Sequence, residues 1–328
     1  MRAIEARTAG GPDVLTPTDR PSPAPRAGQV LVRTSAIGVN FYDTYVRSGV
    51  YPRQFPFVPG SEGAGEVVAV GDGVTHLSPG RLVAWSGSLS GSYAEEVLLE
   101  ADAAIVVPDG VDAHVAAALP LQGMTAHMLV DGVFDVRPGQ DVLLTAGAGG
   151  VGLLLTQLAV ARGARVITTV STAEKEALSR AAGASDVVRY TELDDLTTEL
   201  PQIVRDLTGG AGVHVAYDGV GATTFDATLA SVRRRGMLVL FGGASGQVPP
   251  FDLQRLNSSG SLFVTRPTLG HYTADPDELA YRSGAVFGAL ASGDLDVRVG
   301  ATFPLAEAAD AHRALESRGT TGKVLLLP

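Results

Sequence analysis

Through the first third of the chain, apolar residues fall in short runs separated by turn clusters; beyond about residue 140 they fall in alternating strand-like and helix-like blocks. Residues 29–35 (QVLVRTS) and 65–70 (GEVVAV) are rich in β-branched side chains and predict strands. Gly71-Asp72-Gly73, Pro79-Gly80 and the serine-rich stretch 86–92 predict turns, so residues 1–120 read as a mostly β region. Helical spacing follows at 113–119 and 123–130. Strands are then predicted at 141–146 (DVLLTA), 165–170 (RVITTV), 186–189, 213–218 (VHVAYD), 236–241 (GMLVLF) and 261–265 (SLFVT). Helices are predicted over 151–162, 173–182 and 196–207, between the first four of these. Apolar strands spaced by helices imply right-handed strand–helix–strand units and a parallel sheet covered on both faces. A helix over 276–288 and a strand over 323–327 follow, and no solenoid-type repeat is present.

At 328 residues the chain exceeds one ordinary core. It suits two domains of roughly 150 residues each. A net charge of −10 argues against a nucleic-acid surface. The one basic run, Arg233-Arg234-Arg235, reads as a solvated turn ahead of a strand. The absence of cysteine excludes disulfides, cysteine-based zinc sites, iron–sulfur clusters and thiol catalysis. No apolar run reaches the ~18 residues of a membrane span. The opening MRAIEARTAGGP has no signal-like apolar segment, so the expected setting is the cytoplasm.

One motif carries specific chemistry. Gly147, Gly149, Gly150, Val151 and Gly152 fit G-x-G-x-x-G between a predicted strand and a predicted helix, where a dinucleotide fingerprint belongs. Here the first glycine is expected to allow the tight turn, the second to admit pyrophosphate, and the third to let helix and strand pack closely. The free N–H groups and partial positive charge of the helix start then face the phosphates. The second strand ends without the acid that usually binds a ribose 2′-hydroxyl. Ser171, Lys175 one helical turn on, and Tyr190 after the third strand instead form a candidate set for a 2′-phosphate, which points to NADPH. Glu174 works against that set if it points inward, and the competing reading makes Lys175 a surface residue and Tyr190 a cover for the sheet edge.

Taken in order, several segments resemble the zinc-independent quinone oxidoreductases (zeta-crystallin-like) of the medium-chain dehydrogenase/reductase superfamily. They are residues 36–51 (AIGVNFYDTYVRSGVY), 59–65 (PGSEGAG), 122–127 (QGMTAH), 146–152, Phe241-Gly242, 260–267 (GSLFVTRP) and Gly322-Lys323. The resemblance implies an α/β fold: a Rossmann-type doubly wound parallel sheet inserted into a mostly β, GroES-like catalytic domain formed by both chain ends. Its expected bounds are 1–120 with 268–328 for the catalytic domain and 121–267 for the NADPH-binding domain. It also implies a homodimer in which the strand at 262–265 meets its symmetry mate. In related alcohol dehydrogenases a Gly-His-Glu segment supplies a zinc ligand; here it reads Gly60-Ser61-Glu62, so no metal is expected.

By the same likeness Asn40, Tyr45 and Tyr51 line the acceptor pocket. Thr125 contacts the nicotinamide end of the cofactor, and Phe241, Gly242 and Lys323 close around it. His127 reads as a packed helix residue. Met128 stands where tyrosine is frequent, and Val160, on a helix surface, where a basic residue is frequent. The expected activity is metal-free hydride transfer from NADPH to a small quinone, with Asn40 and a tyrosine hydroxyl polarising the acceptor and solvent supplying protons. The alternatives are an NADPH-dependent reductase of 2-alkenals or enones, and a non-enzymatic NADPH-binding structural or sensor protein.

Overall fold

In a computed structural model of residues 1–328, the strands run in chain order as β1 (Arg2–Ala6), β2 (Leu15–Asp19), β3 (Gln29–Val39), β4 (Glu62–Val70), β5 (Leu82–Trp85), β6 (Glu96–Glu100) and β7 (Ile105–Val106). They continue as β8 (Asp141–Leu144), β9 (Arg165–Val170), β10 (Asp186–Arg189), β11 (Val213–Asp218), β12 (Val232–Leu240), β13 (Phe263–Thr265), β14 (Val299–Pro304) and β15 (Lys323–Leu327). The chain divides into two compact units: Met1–Met124 with Asp275–Pro328, and Thr125–Ala274. No helix is long and apolar enough to cross a membrane.

The second unit is built on a six-stranded parallel sheet in the order β10-β9-β8-β11-β12-β13. All six strands expected from the apolar pattern are in it, and the order reverses at β8, the doubly wound arrangement. β9 is buried along five of its six residues, as a strand covered on both faces requires. Leu143, Ile167, Leu200, Val204, Ala216 and Leu238 join strands and helices in one core.

Two local expectations need correction. Arg233, Arg234 and Arg235 lie inside β12, not in a turn before it. Val213 pairs with Val232 while Val215 pairs with Met237, so the intervening residues bulge from the sheet and keep the three guanidinium groups in water, with Arg235 at φ 62°. The helix expected over 123–130 is two pieces: α-helix Pro120–His127, then a π-helical stretch Met128–Val133 that buries Met128 and Leu129. The wider turn redirects the chain before β8, and His127 is packed, as expected.

In the first unit β3 is the central strand. It pairs antiparallel with β4, β6 and β15, and β15 pairs parallel with β14. A separate ribbon joins β1 to β2. β15 therefore ties the last residues of the chain to Ile37–Val39 near its start. Ile37, Val39, Tyr93, Leu305, Val324 and Leu326 share a core, and a second core surrounds the single tryptophan, Trp85.

Candidate active site

In the parallel-sheet unit, β8 ends at Leu144 and the helix Gly150–Ala161 begins after Gly149. The left-handed residue of the turn is Ala146 (φ 55°), not Gly147, a correction to the role expected of the first glycine. Gly147 is needed for space: a Cβ there would lie 2.6 Å from Thr168 Cβ and 2.8 Å from Ser179 Oγ. Gly152 keeps its expected part, because a Cβ would overlap the Ala146 carbonyl. No side chain caps the helix start, and the N–H groups of a first helical turn have no intrahelical partner.

Of the residues expected at a 2′-phosphate, Ser171 and Lys175 meet beyond β9. Lys175 Nζ donates to Ser171 Oγ at 3.2 Å, and Thr191 Oγ1 donates to the Ser171 carbonyl at 2.7 Å. Tyr190 opens the turn after β10, and Glu174 is exposed on the first turn of the helix Ala173–Ala181. Thr172 caps that helix through the Lys175 N–H.

At the other side of the sheet switch, Asp218 closes β11. Its carboxylate accepts from Thr145 at 3.1 Å, from Thr224 at 2.7 Å, from Thr228 at 2.9 Å and from the Val220 and Gly221 N–H groups. The Phe241 N–H donates to the Asp218 carbonyl at 2.9 Å, and Gly242 packs so closely on Gly219 that a Cβ would overlap the Gly219 carbonyl. The ends of β8, β11 and β12 are thus fixed to one another, with Phe241 and Gly242 partly exposed at the edge. Thr125 is half-buried on the helix Pro120–His127.

In the antiparallel unit, Asn40 follows β3 and precedes the helix Phe41–Ser48. Tyr45 lies on that helix, and its ring meets Tyr51 edge-on at 5.6 Å between centroids. Tyr42 packs against Tyr51 at 5.7 Å. Asn40 itself is only 3% exposed. Its amide donates to Glu62 Oε2 at 2.8 Å and to the Gly38 carbonyl at 3.4 Å, and its Oδ1 accepts from Lys323 Nζ at 2.7 Å and from Gln122 at 3.4 Å. Both amide hydrogens and the Oδ1 of Asn40 thus have partners within the protein, which fixes the orientation of the group.

Glu62, which the sequence did not single out, is the centre of this arrangement. It pairs directly with Lys323; the two side chains are 0% and 1% exposed. The other carboxylate oxygen accepts the Leu121 N–H at 2.7 Å. The ammonium of Lys323 is therefore committed to Glu62 and Asn40. Gly38 makes the room: a Cβ there would come within 2.7 Å of Lys323 Cε and overlap the Glu62 carboxylate.

A second buried chain runs behind Asn40. Asp43 Oδ2 accepts the Asn40 backbone N–H at 2.9 Å and the Tyr93 hydroxyl at 3.4 Å, while Oδ1 accepts from Ser61 at 3.0 Å. Tyr93 contacts His312 Nε2 at 2.8 Å, and Arg47 Nη1 lies 3.0 Å from His312 Nδ1. Arg47 also pairs with Glu316 at 2.6 Å. Gly60, at φ 90°, lets the Tyr93 ring lie against the backbone. Burial pushes the Asp43 carboxyl up from 3.8 to about 7, opposed by the Asn40 N–H, Ser61 and Lys323 and reinforced by Glu62. Burial, helped by Arg47, holds the His312 imidazole neutral, down from 6.5 to about 3. Burial likewise keeps the Tyr93 phenol protonated.

No group of three histidine, aspartate or glutamate side chains is placed to hold a metal ion, and the chain has no cysteine.

Residues 26–109 match the alcohol dehydrogenase GroES-like domain family, and residues 150–275 match the zinc-binding dehydrogenase family. The quinone oxidoreductase of Pseudomonas aeruginosa is 42% identical over 100% of this chain and 99% of its own. The 2-haloacrylate reductase of a Burkholderia species is 40% identical over 97% and 96%. Among solved structures, a mycobacterial protein complexed with NADPH is 51% identical with a TM-score of 0.96, both chains covered in full. The Escherichia coli quinone oxidoreductase complexed with NADPH is 40% identical, also with a TM-score of 0.96 and full coverage of both.

Proposed function

The chain belongs to the quinone oxidoreductases of the medium-chain dehydrogenase/reductase superfamily, and on that premise we propose that it is an NADPH-dependent reductase of small quinones. The observation that most supports this reading is the end-to-end likeness to quinone oxidoreductases, together with an uncapped, glycine-entered helix start in the parallel-sheet unit. The fit to the cofactor rests on chain geometry: Gly150, Val151 and Gly152 offer backbone N–H groups to pyrophosphate, Gly149 enters the helix with its own N–H held by the Ala146 carbonyl, and Lys175 with Ser171 offers charge-assisted hydrogen bonds to a 2′-phosphate. Tyr190, Thr125, Phe241 and Gly242 complete the proposed cofactor set. When bound, NADPH supplies a hydride.

The acceptor side belongs to Tyr45 and Tyr51, with Asn40 fixed beside them by Glu62 and Lys323. A quinone becomes aromatic on reduction, so the protein's work is orientation and hydrogen bonding to the acceptor oxygens rather than strong polarisation. The parallel-sheet unit is assigned to the dinucleotide and the antiparallel unit to the acceptor. We place the protein in the cytoplasm as a homodimer paired through β13, an edge strand that leaves Phe263 59% and Val264 36% exposed.

A second reading, reduction of an activated alkene, is favoured by the 40% identity to a 2-haloacrylate reductase. NADPH oxidation, followed by nicotinamide absorbance with matched panels of quinones and 2-alkenals, separates the two. Turnover confined to quinones is expected; turnover confined to alkenals refutes the quinone assignment. Sedimentation should give a dimer, and a monomer removes the pairing through β13.

A further inference from the structure

The hydrogen bonds of the antiparallel unit fix the direction of a proton path. Arginine only donates, so His312 Nδ1 must accept from Arg47 Nη1 at 3.0 Å. A neutral imidazole then carries its hydrogen on Nε2 and donates it to the Tyr93 oxygen at 2.8 Å. The Tyr93 hydrogen is left to Asp43 Oδ2, which also holds the Asn40 N–H. With Oδ2 occupied twice, a proton on Asp43 sits on Oδ1, facing Ser61 Oγ at 3.0 Å.

The chain Glu316–Arg47–His312–Tyr93–Asp43–Ser61 has two partly exposed ends, Glu316 and Ser61, and everything between them is buried. The Glu316 end is closed to protons, because arginine does not give one up. Asp43 therefore exchanges its proton through Ser61. When Asp43 is ionised, the Ser61 hydroxyl donates to it; when Asp43 is protonated, Ser61 accepts and its own hydrogen is released toward another acceptor.

We propose that Ser61 is a catalytic residue that delivers the proton needed by the reduced acceptor, with Asp43 as the positioned store behind it. The proposal rests on the quinone-reductase reading, because it needs an acceptor beside Asn40, the residue whose backbone N–H binds Asp43 and whose side chain Glu62 holds. Addition of hydride leaves a quinone one proton short of hydroquinone, with the negative charge on an oxygen. The Ser61 O–H bond breaks as its proton passes to that oxygen, and the Asp43 Oδ1 proton passes to Ser61 Oγ. The products are neutral hydroquinone, an intact serine and the Asp43 carboxylate, which regains one proton through Ser61 after release. The Asp43 carboxyl lies near half-protonation at neutral pH, which suits a store that must both hold and release. The charged or titratable groups facing it are Glu62 on β4, Lys323 on β15, Tyr93 before β6, Tyr42 and Arg47 on its own helix, and His312 with Glu316 on the helix Ala308–Glu316.

The test uses full-length protein with Ser61→Ala, Ser61→Thr and Asp43→Asn. In the parent, kcat with a quinone is expected to fall as pH rises past about 7. Ser61→Ala should lower kcat by about tenfold or more and abolish that limb, and Ser61→Thr, which keeps the hydroxyl, should restore both. Asp43→Asn should also lose the limb, and NADPH affinity should be unchanged in all three. Infrared spectra of the protein alone give an independent readout: a protonated-carboxyl band that disappears as pH rises through neutrality, is absent in Asp43→Asn and is shifted in Ser61→Ala. A Ser61→Ala protein with the parent kcat and the parent pH limb overturns the proposal, as does a parent lacking that infrared band. A parent that oxidises NADPH with no quinone overturns the functional reading instead.

Discussion

Asp43 and His312 should tilt the stability of their unit in opposite directions with pH, and removing either should expose the other. A carboxyl raised from 3.8 to about 7 binds its proton more tightly in the folded chain, so it favours folding at acid pH and loses that advantage as pH rises to about 7. At about 1.4 kcal/mol per pKa unit, the full swing is about 4 kcal/mol. The imidazole, lowered from 6.5 to about 3, binds its proton less tightly when folded, so its contribution is present above 6.5 and is lost as pH falls toward 3. Its full swing is about 5 kcal/mol by the same conversion. Between 3.8 and 6.5 the two slopes oppose each other, and the parent is expected to be nearly flat as far as these groups decide it. Asn at position 43 preserves shape and removes one slope. The stability of Asp43→Asn minus that of the parent should therefore climb by about 4 kcal/mol as pH goes from acid to neutral. Trp85, the one tryptophan, is buried in the same unit, so its fluorescence during urea unfolding reports the relevant transition even if the other unit melts separately. A difference that stays constant within about 1 kcal/mol across that range refutes the reasoning, because Asp43 would then titrate alike in the folded and unfolded chains.

Three other outcomes follow from the same contacts. Lys323→Met strands Glu62 and should cost about 3–5 kcal/mol in urea unfolding, whereas adding Glu62→Gln should recover much of that loss. Gly152→Ala forces a Cβ onto the Ala146 carbonyl and should weaken NADPH binding by about tenfold or more in a fluorescence titration. Gly149→Ala, whose Cβ would meet the same oxygen at 3.2 Å, should weaken it less. Lys175→Ala should weaken NADPH by about 1–3 kcal/mol and leave NADH nearly unchanged; equal weakening removes Lys175 from the 2′-phosphate site.

What could be read in the sequence was what is encoded locally. The six strands of the parallel sheet and the helix after the glycine turn follow from apolar runs and spacing within a few dozen residues. The turn itself was less legible: spacing shows that small residues are required at 147 and 152, but not that Ala146 carries the left-handed backbone. The Arg233–Arg235 run misled because charge marks exposure, and a bulged strand exposes side chains as well as a turn does. Asp43, Tyr93 and His312 gave no signal. Each is an ordinary residue in its own segment, and the contact between Tyr93 and His312 spans 219 positions. Asn40 and Lys323 were reached only by likeness, and likeness did not show that, 283 positions apart, they share a hydrogen bond and both donate to Glu62.

That separation bears on why a buried ion pair is retained at all. Taking Glu62 and Lys323 out of water costs several kcal/mol per ion, and their attraction does little more than offset it, so net stability is a weak explanation. Selectivity among arrangements is a stronger one. If β15 is displaced from β3, Lys323 leaves and Glu62 remains buried beside Asn40 without a counter-charge, which is the costliest form of the pair. The charge pair therefore penalises every structure in which the last strand is undocked, while contributing little to the docked one. Because the Asn40 amide is held by both partners, the orientation of the acceptor-side residue is conditional on that docking. Slight loosening of β15 should then reach activity before it reaches the Trp85 core, which does not include β15.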